Sequence, residues 1–411
     1  MKIAVVNNYY YLRGGSERVL FGDQASLRDM GHEVLPYSAN DSRNEPAATT
    51  DSFCTVADAQ QQKGVARKFR AAKNLIYSKE VRASFAEFLL RYKPDVVHCH
   101  NIYGRLTTAV LDAAHEQNIP TLLTAHDYKL SCPSYLGLRQ GKPCQSCVDG
   151  GYWRCVRWKC HKGSRIASLI YAAEAYSNLW RGKYDTVARI LCPSRFLREV
   201  ILASGVSAKR AVYHANALPL EQYAAQYQAG EYVLYVGRLS KEKGLNTLLK
   251  AERQMRLPMR IVGVGPMQES IARQIAAENL PVQLEGHQSG DRLRELYQGA
   301  AFVVVPSEWY ENASMTLLEA LAYGKPVLAT AIGGNVEHVK IGQTGQLYPV
   351  GDADALATTA TQLWSKKHEL TQMGIRARQY VEEKHCQKKR SEELIDLYQT
   401  VIDEARQGAT K

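Results

Sequence analysis

Two carboxylates flank the start of a predicted helix in the second half of the chain. Glu311 follows a predicted strand and precedes the helix, and Glu319 is expected about two turns inside it. Carboxylates accept paired hydrogen bonds from hydroxyls, so one of them could hold a ribose and the other a sugar. N–H groups at a helix start favour phosphate, and here they belong to Asn312, Ala313, Ser314, Met315 and Thr316. The alternative is that both acids complement the helix dipole or line a solvated face.

A basic turn follows another predicted strand. Gly237 and Gly244 enclose Arg238, Lys241 and Lys243, and a helix is predicted to begin after them. Free N–H groups, the helix dipole and side-chain cations all favour an anion, so this turn suits a diphosphate. A solvated basic turn is the alternative, and the position at the carboxyl end of a strand favours the ligand site.

Five of the nine cysteines lie between Cys132 and Cys160. Four of them have the spacing C-x2-C-x7-C-x4-C, from which a tetrahedral zinc site can be built: Cys144, Cys147, Cys155 and Cys160. Zinc here would be structural, because four thiolates leave no coordination position for water. An iron–sulfur cluster, free thiols and a regulatory disulfide stay open as alternatives.

The segment from Gly151 to Arg165 carries five Lys or Arg residues and no acid, with Tyr152, Trp153 and Trp158 among them. Aromatic residues among cations suit an anionic membrane interface. Nucleic acid is not expected, because no recognition motif accompanies the basic residues. A solvated basic loop is the alternative.

The pair Asp352 and Asp354 matches the D-x-D pattern that holds a divalent ion in some transferases. These acids precede a helix-like run, so we expect them to cap a helix N-terminus rather than to bind metal.

The elements that position these residues form a repeated pattern. The chain has 411 residues and is 45% hydrophobic, which is enough for two cores. Short apolar runs, each followed by a helix-like stretch, are predicted as strands at Lys2 to Val6, Asp95 to His100, Thr121 to Ala125, Arg189 to Pro193, Ala211 to Ala215, Tyr232 to Val236, Met259 to Gly263, Val282 to Glu285, Ala301 to Pro306 and Pro326 to Thr330. The pattern predicts an α/β fold with two open, doubly wound Rossmann-like sheets and a ligand cleft between them.

We expect an N-terminal domain over residues 1–218 with a cysteine-rich insertion at about 132–165. A second domain is expected over 219–385, and a helix over 386–411 is expected to pack back toward the N-terminal domain. The formal charge of +11 indicates an anionic partner. Neither a signal segment nor a span of about 20 apolar residues is present in the sequence, so we expect a cytoplasmic chain, peripheral at most to the inner face of the membrane.

Several motifs in one order resemble the retaining GT-B glycosyltransferases, and within them family 4, which includes sucrose synthases and bacterial polysaccharide mannosyl- and glucosyltransferases. The sequence G-R-L-x-x-E-K-G from Gly237 is followed by E-x7-E from Glu311, and then by Gly324-Lys325-Pro326-Val327 and Gly333-Gly334-x-x-Glu337. Further matching segments in the first half are Gly14 to Glu17, Thr124 to Asp127, Pro193-Ser194 and Asn216. The resemblance covers nearly the whole chain.

The resemblance implies that residues 1–218 form the acceptor-side domain and residues 219–385 the nucleotide-sugar-binding domain. It also implies roles for individual residues. Arg238 and Lys243 would bind the donor diphosphate, Glu319 the ribose, and Glu311 the hydroxyls of the donor sugar. The loop at Gly14 and Gly15 would approach the phosphate from the other domain. His126 would orient the donor sugar or contribute its backbone carbonyl. Catalysis would need no metal, because GT-B enzymes use Arg, Lys and helix dipoles instead.

The expected activity is retaining transfer of a hexose from a UDP-, GDP- or ADP-sugar to a glycan or lipid-linked acceptor, in polysaccharide or glycoconjugate synthesis. The common family form E-x-F-G is replaced here by Glu311-Asn312-Ala313-Ser314-Met315, which leaves the sugar undecided. A sugar-nucleotide epimerase of the same architecture and an inactive nucleotide-sugar- or zinc-binding interaction protein are the alternatives. A dehydrogenase is disfavoured, because the G-x-G at Gly263 lacks a third glycine.

Overall fold

The computed structural model describes residues 1–56 and 73–409, which divide into two compact units. The first comprises Met1–Gln140, Cys144–His214 and the C-terminal segment from Gln387. The second comprises Gly141–Pro143 and Ala215–Cys386. Apart from Gly141–Pro143, the chain passes from the first unit to the second after His214 and returns after Cys386.

The N-terminal unit is built on a six-stranded parallel sheet with the strand order β2-β1-β3-β4-β7-β8. Its strands are β1 Lys2–Val6, β2 Glu33–Tyr37, β3 Val96–Cys99, β4 Thr121–Thr124, β7 Arg189–Cys192 and β8 Ala211–Tyr213. Two-residue strands β5 Leu138–Arg139 and β6 Lys142–Pro143 form a separate hairpin. The helices are α1 Gly15–Asp29, α2 Lys79–Tyr92, α3 Ala109–Glu116, α4 Trp153–Arg157, α5 Arg165–Trp180 and α6 Arg195–Ala203.

The C-terminal unit has a second six-stranded parallel sheet, ordered β11-β10-β9-β12-β13-β14. Its strands are β9 Tyr232–Val236, β10 Met259–Val262, β11 Val282–Gly286, β12 Ala300–Val305, β13 Val327–Thr330 and β14 Gly345–Tyr348. Its helices are α7 Leu245–Met255, α8 Gln268–Ala277, α9 Gly290–Gln298, α10 Met315–Ala322, α11 Asn335–His338, α12 Ala353–Ser365 and α13 Lys367–Lys384. Central strand β12 is buried along its whole length, as expected when helices cover both faces of a parallel sheet.

The predicted fold class, two doubly wound Rossmann-like sheets, is confirmed. The ten predicted strands agree with the structure to within two residues at each end. Sequence reasoning missed the two-residue strands β5 and β6 as well as β2 and β14, which are both edge strands. Edge strands are buried on fewer sides and need no continuous apolar run, and β2 even contains Pro36.

The last helix, α14 Gln387–Ala409, belongs to the N-terminal unit. Its buried side chains Leu394, Tyr398 and Val401 join the same apolar cluster as strand β1. The Gln387 amide also donates a 2.9 Å hydrogen bond to Asp23 in α1. Burial of this apolar face attaches the end of the chain to its beginning.

No helix within residues 1–56 and 73–409 is both long enough and apolar enough to cross a bilayer.

Candidate functional site

Glu311 lies in the loop after β12, and its carboxylate is the centre of a cluster of donors. Lys243 Nζ lies 2.6 Å from Glu311 Oε1, Ser307 Oγ donates to the same oxygen at 2.5 Å, and Trp309 Nε1 donates at 2.9 Å. All three donors reach Oε1, so they leave the second carboxylate oxygen, Oε2, to other partners. The side chain of Glu311 is 6% exposed and that of Lys243 is 24% exposed.

The electrostatics of this cluster keep Glu311 ionised. Burial alone would raise its pKa, but the charge of Lys243 and the hydrogen bonds from Lys243, Ser307 and Trp309 outweigh burial and lower the pKa. Lys243 also lies over the Trp309 ring, with Nζ 5.0 Å from the ring centroid. The result is a fixed carboxylate beside an ammonium group that water can still reach.

Glycines allow the surrounding loops to approach each other closely. Gly244 has a φ of +71°, and a Cβ placed on it would lie 1.7 Å from the carbonyl oxygen of Pro306. A Cβ on Gly334 would lie 1.9 Å from the carbonyl oxygen of Asn312, while the Gly334 N–H donates to the Glu311 carbonyl at 2.7 Å. Any other residue at these positions would push the Glu311 loop away from its neighbours.

Helix α10 begins directly after the Glu311 loop. Ser314 is its N-cap and accepts a hydrogen bond from the Leu317 N–H, while Asn312, Ala313, Met315 and Thr316 are partly exposed. The start of the helix therefore presents backbone N–H groups near the carboxylate cluster.

Glu319 lies one turn inside α10 rather than about two, because the helix begins only at Met315. Its carboxylate is buried and accepts a 2.9 Å hydrogen bond from the Tyr297 hydroxyl. Buried carboxylates need such partners, so this one is held in place rather than solvated. Its burial argues against the alternative of a solvated helix face.

Arg238 and Gly237 lie where β9 ends. The Gly237 N–H donates to the carbonyl of Val262 at 3.0 Å, which extends the pairing with β10 by one residue. The Tyr235 hydroxyl donates to the Arg238 carbonyl at 2.9 Å, and the Arg238 side chain is exposed. The turn backbone is thus fixed while the guanidinium stays accessible.

In the N-terminal unit, Gly14 is the N-cap of α1 and Gly15 its first residue, and both are exposed. His126 follows β4, and its Nε2 lies 2.8 Å from Nδ1 of His100. Burial lowers the pKa of His126 to about 4 and holds that of His100 well below its usual value. Both rings are therefore neutral at pH 7, and one ring donates a hydrogen bond to the other.

The D-x-D acids are at a helix start, as the capping interpretation predicts. Asp352 is the N-cap of α12 and accepts a 2.9 Å hydrogen bond from the Ala355 N–H, and Asp354 accepts one from Gln254.

The four cysteines named as metal ligands, Cys144, Cys147, Cys155 and Cys160, line one pocket in the N-terminal unit. A fifth thiol, Cys132, lines the same pocket. The sequence places Cys132 in the same cluster of five cysteines, but it lies outside the four-cysteine spacing pattern. Sequence reasoning also missed Ser307, Trp309 and Tyr297, although the first two lie within four residues of Glu311 in the sequence.

Two family descriptions match the chain. "Glycosyltransferase Family 4" matches residues 13–222, and "Glycosyl transferases group 1" matches residues 222–380. The chain belongs to glycosyltransferase family 4. The fold agrees with this family: the chain superposes on sucrose-phosphate synthase from Thermosynechococcus elongatus with a TM-score of 0.72 and 19% identity, over 98% of this chain and 99% of that one.

Three further proteins are similar to this chain. Anabaena HepE, solved in complex with UDP, gives a TM-score of 0.71 at 16% identity over 97% of this chain and all of HepE. The colanic acid biosynthesis protein WcaL of Salmonella typhimurium is 27% identical over 55% of this family 4 chain and 55% of its own length. The O-antigen chain mannosyltransferase C of Escherichia coli is 28% identical over 42% of the chain and 47% of its own length. The matches thus span about half the length of these curated relatives.

Proposed function

We propose that this family 4 chain is a retaining glycosyltransferase that moves a hexose from a nucleoside-diphosphate sugar to a glycan or lipid-linked acceptor in polysaccharide or glycoconjugate synthesis. The observation that carries the proposal is the buried, ionised Glu311 paired with Lys243 beside the start of α10. A carboxylate and an ammonium in contact can bind two adjacent parts of one donor, its sugar hydroxyls and its phosphates.

Each group in the C-terminal unit has one proposed task. Arg238, Lys243 and the N–H groups at the start of α10 bind the diphosphate. Oε2 of Glu311 accepts hydrogen bonds from the hydroxyls of the donor sugar, and Glu319 accepts those of the ribose. Tyr297 positions Glu319 through its hydrogen bond.

The chemistry is electrostatic. As the bond from the anomeric carbon to the phosphate oxygen breaks, negative charge grows on the diphosphate, and fixed cations and N–H groups stabilise it. The leaving phosphate takes the proton of the acceptor hydroxyl on the same face of the sugar, so configuration is retained. No pair of carboxylates acts at the anomeric carbon, in contrast to glycoside hydrolases. No metal ion takes part in the proposed step.

The N-terminal unit is proposed to supply Gly14 and Gly15 to the donor phosphate and His126 to the donor sugar. Neutral His126 donates or accepts a hydrogen bond without placing a positive charge beside the breaking bond. His100 fixes the ring through its 2.8 Å contact and is therefore a positioning residue.

An apolar surface on α5 supports a lipid-linked acceptor. Ile166 and Trp180 are 75% and 78% exposed, Leu169 is also exposed, and these residues lie on one face of the helix. Trp153 is exposed too, and its N–H donates to Tyr176 on the same helix at 3.1 Å. Exposed cations lie nearby in sequence at Arg157, Lys159, Lys162 and Arg165. We propose that this face lies on an anionic bilayer surface.

Binding of nucleoside diphosphates tests the donor site. Calorimetry with UDP, GDP and ADP should find one nucleoside diphosphate that binds the full chain. Lys243→Ala should weaken that binding by about 100-fold, because charge-assisted hydrogen bonds that contribute about 3 kcal/mol are lost. Lys241→Ala is the matched control, because Lys241 lies in the same turn and is exposed. Equal affinities for both variants would refute the assignment of Lys243.

A further inference from the structure

Five thiols converge on one pocket of the N-terminal unit. The pocket is lined by Cys132 from the segment after β4, by Cys144 and Cys147 from the turn after β6, by Cys155 from α4 and by Cys160 just beyond it. Cys147 and Cys155 are buried and the other three are partly exposed. None of the proposed donor contacts uses these thiols, so their convergence needs a separate explanation.

The backbone around the thiols is already shaped for a metal. The N–H of Ser146 points at Cys144 Sγ from 3.5 Å, so the C-x2-C turn directs a backbone donor at a ligand sulfur. The Cys160 N–H donates to the Cys155 carbonyl at 3.0 Å, which brings the second pair of cysteines together across one turn. N–H donors to sulfur stabilise thiolates.

The thiols are also close enough to act on one another. Cys155 and Cys160 form a side-chain hydrogen bond with each other. All five thiols line the same pocket, so rotamer changes can direct four of them to one metal position.

The segment that carries these cysteines has little else to hold it. Between Leu138 and Ser164 its regular structure is a hairpin of two-residue strands and the five-residue helix α4. The apolar cluster nearest to it contains four buried residues, one of them Cys147. Segments that cannot build a core of their own are usually held by disulfides or metal ions.

The charge of the segment favours a metal bound by thiolates. A zinc ion with four thiolates carries a net charge of −2, and residues 151–165 supply five cations and no acid. An anionic metal centre therefore lies in a positive environment.

We propose that this pocket binds one structural zinc ion through Cys147, Cys155, Cys160 and one of Cys132 and Cys144. Binding releases the protons of the four thiols to solvent, forms four zinc–sulfur bonds of about 2.3 Å, and changes no oxidation state. The ion would stabilise the segment that connects the His126 end of β4 with the exposed face of α5.

The thiols must reorient to bind. No group of three or more His, Cys, Asp or Glu side chains within residues 1–56 and 73–409 is already arranged around a metal position. The thiols are instead hydrogen-bonded to neighbours, Cys132 to Ser134 and Cys144 to Ser146, each at 3.2 Å. A change of χ1 rotamer moves a sulfur by a few ångströms without moving the backbone.

Metal content of the purified full chain tests the proposal. We expect about one zinc per chain, less than a tenth of that in Cys147→Ser and Cys155→Ser, and loss in the double variant Cys132→Ser/Cys144→Ser. Cys386→Ser is the control, because Cys386 lies in the C-terminal unit, and it should keep its zinc. Zinc retained by the first three variants would overturn the proposal.

A measurement on the unmodified chain guards against variants that fail to fold. Cobalt exchanged into the wild-type chain should show sulfur-to-cobalt charge-transfer bands and the visible bands of tetrahedral coordination. A wild-type chain without zinc, an iron–sulfur chromophore, or a Cys155–Cys160 disulfide found by mass spectrometry under non-reducing conditions would each overturn it.

Discussion

Replacing Glu311 with glutamine removes the charge at the centre of the donor cluster while keeping its shape. Gln retains an oxygen that can accept from Ser307 and Trp309, but Lys243 loses its carboxylate partner at 2.6 Å. Breaking a fully buried ion pair costs about 3–5 kcal/mol. Lys243 is 24% exposed and water can solvate it in part, so we expect the free energy of unfolding to fall by about 1–3 kcal/mol.

The same change should impair transfer more than stability. Loss of charge-assisted hydrogen bonds to the donor sugar, worth about 3 kcal/mol, lowers kcat/KM by about 100-fold. Urea unfolding and steady-state kinetics at pH 7 measure the two effects. Glu308→Gln is the matched control, because Glu308 lies in the same loop but accepts its 2.5 Å hydrogen bond from Thr247.

The loss of stability expected in Glu311→Gln depends on pH. The pKa of Glu311 is lower in the folded chain than its usual value of 4.5, so its contribution to stability is present above that value and is lost as the pH falls through the folded pKa. The stability gap between wild type and Glu311→Gln should therefore be full at pH 7 and should close in acid. A gap that persists in acid, or unchanged kcat/KM in Glu311→Gln, would refute the reasoning.

Three further predictions follow from other groups. Tyr297→Phe should lower kcat/KM by about 5-fold, because one hydrogen bond is lost, and Glu319→Gln should lower it by about 100-fold. If both variants were as active as the wild type, the assignment of Glu319 to the ribose would be contradicted. Glu252 is fully buried, and burial raises its pKa to about 8, so the folded chain keeps a proton that the unfolded chain releases above pH 4.5. In urea titrations, the free energy of unfolding of the wild type relative to that of Glu252→Gln should therefore fall by up to about 1.4 kcal/mol per pH unit between pH 5 and pH 8. Free energies of unfolding that change in parallel with pH in the two proteins would contradict this. Ile166→Ser/Trp180→Ser should reduce co-sedimentation with phosphatidylglycerol vesicles at least 10-fold without changing soluble-donor binding, and undiminished sedimentation would remove α5 from the membrane surface.

The sequence was sufficient for the fold because the strands that decide it are buried. Central runs such as Ala300–Val305 are short, apolar along their length and rich in valine, which favours interior strands. Two of the four edge strands of the large sheets, β2 and β14, escape this reasoning, and β14 contains the sequence Gly345-Gln-Leu-Tyr348, which has no apolar continuity.

The site was predicted only in part, because residues that are far apart in the sequence come into contact in the fold. Residue types and order indicated Lys243 and Glu311 separately, but nothing in the sequence indicated that they are in contact. Their pairing depends on Gly244, whose positive φ lets the basic turn approach the carbonyl of Pro306. Tyr297 comes from a different helix and contacts Glu319 from 22 residues away, so no local pattern indicated it.

The most direct test of the central claim is mass spectrometry of the reaction products. The chain is incubated with sugar forms of the nucleoside diphosphate that binds it and with an extract of lipid-linked acceptors. The account predicts that an acceptor gains the mass of one hexose, that the nucleoside diphosphate is released in equal amount, and that Lys243→Ala loses both signals while Lys241→Ala keeps them. Conversion of the donor into an isomeric sugar nucleotide without any acceptor, or full transfer by Lys243→Ala, would contradict it.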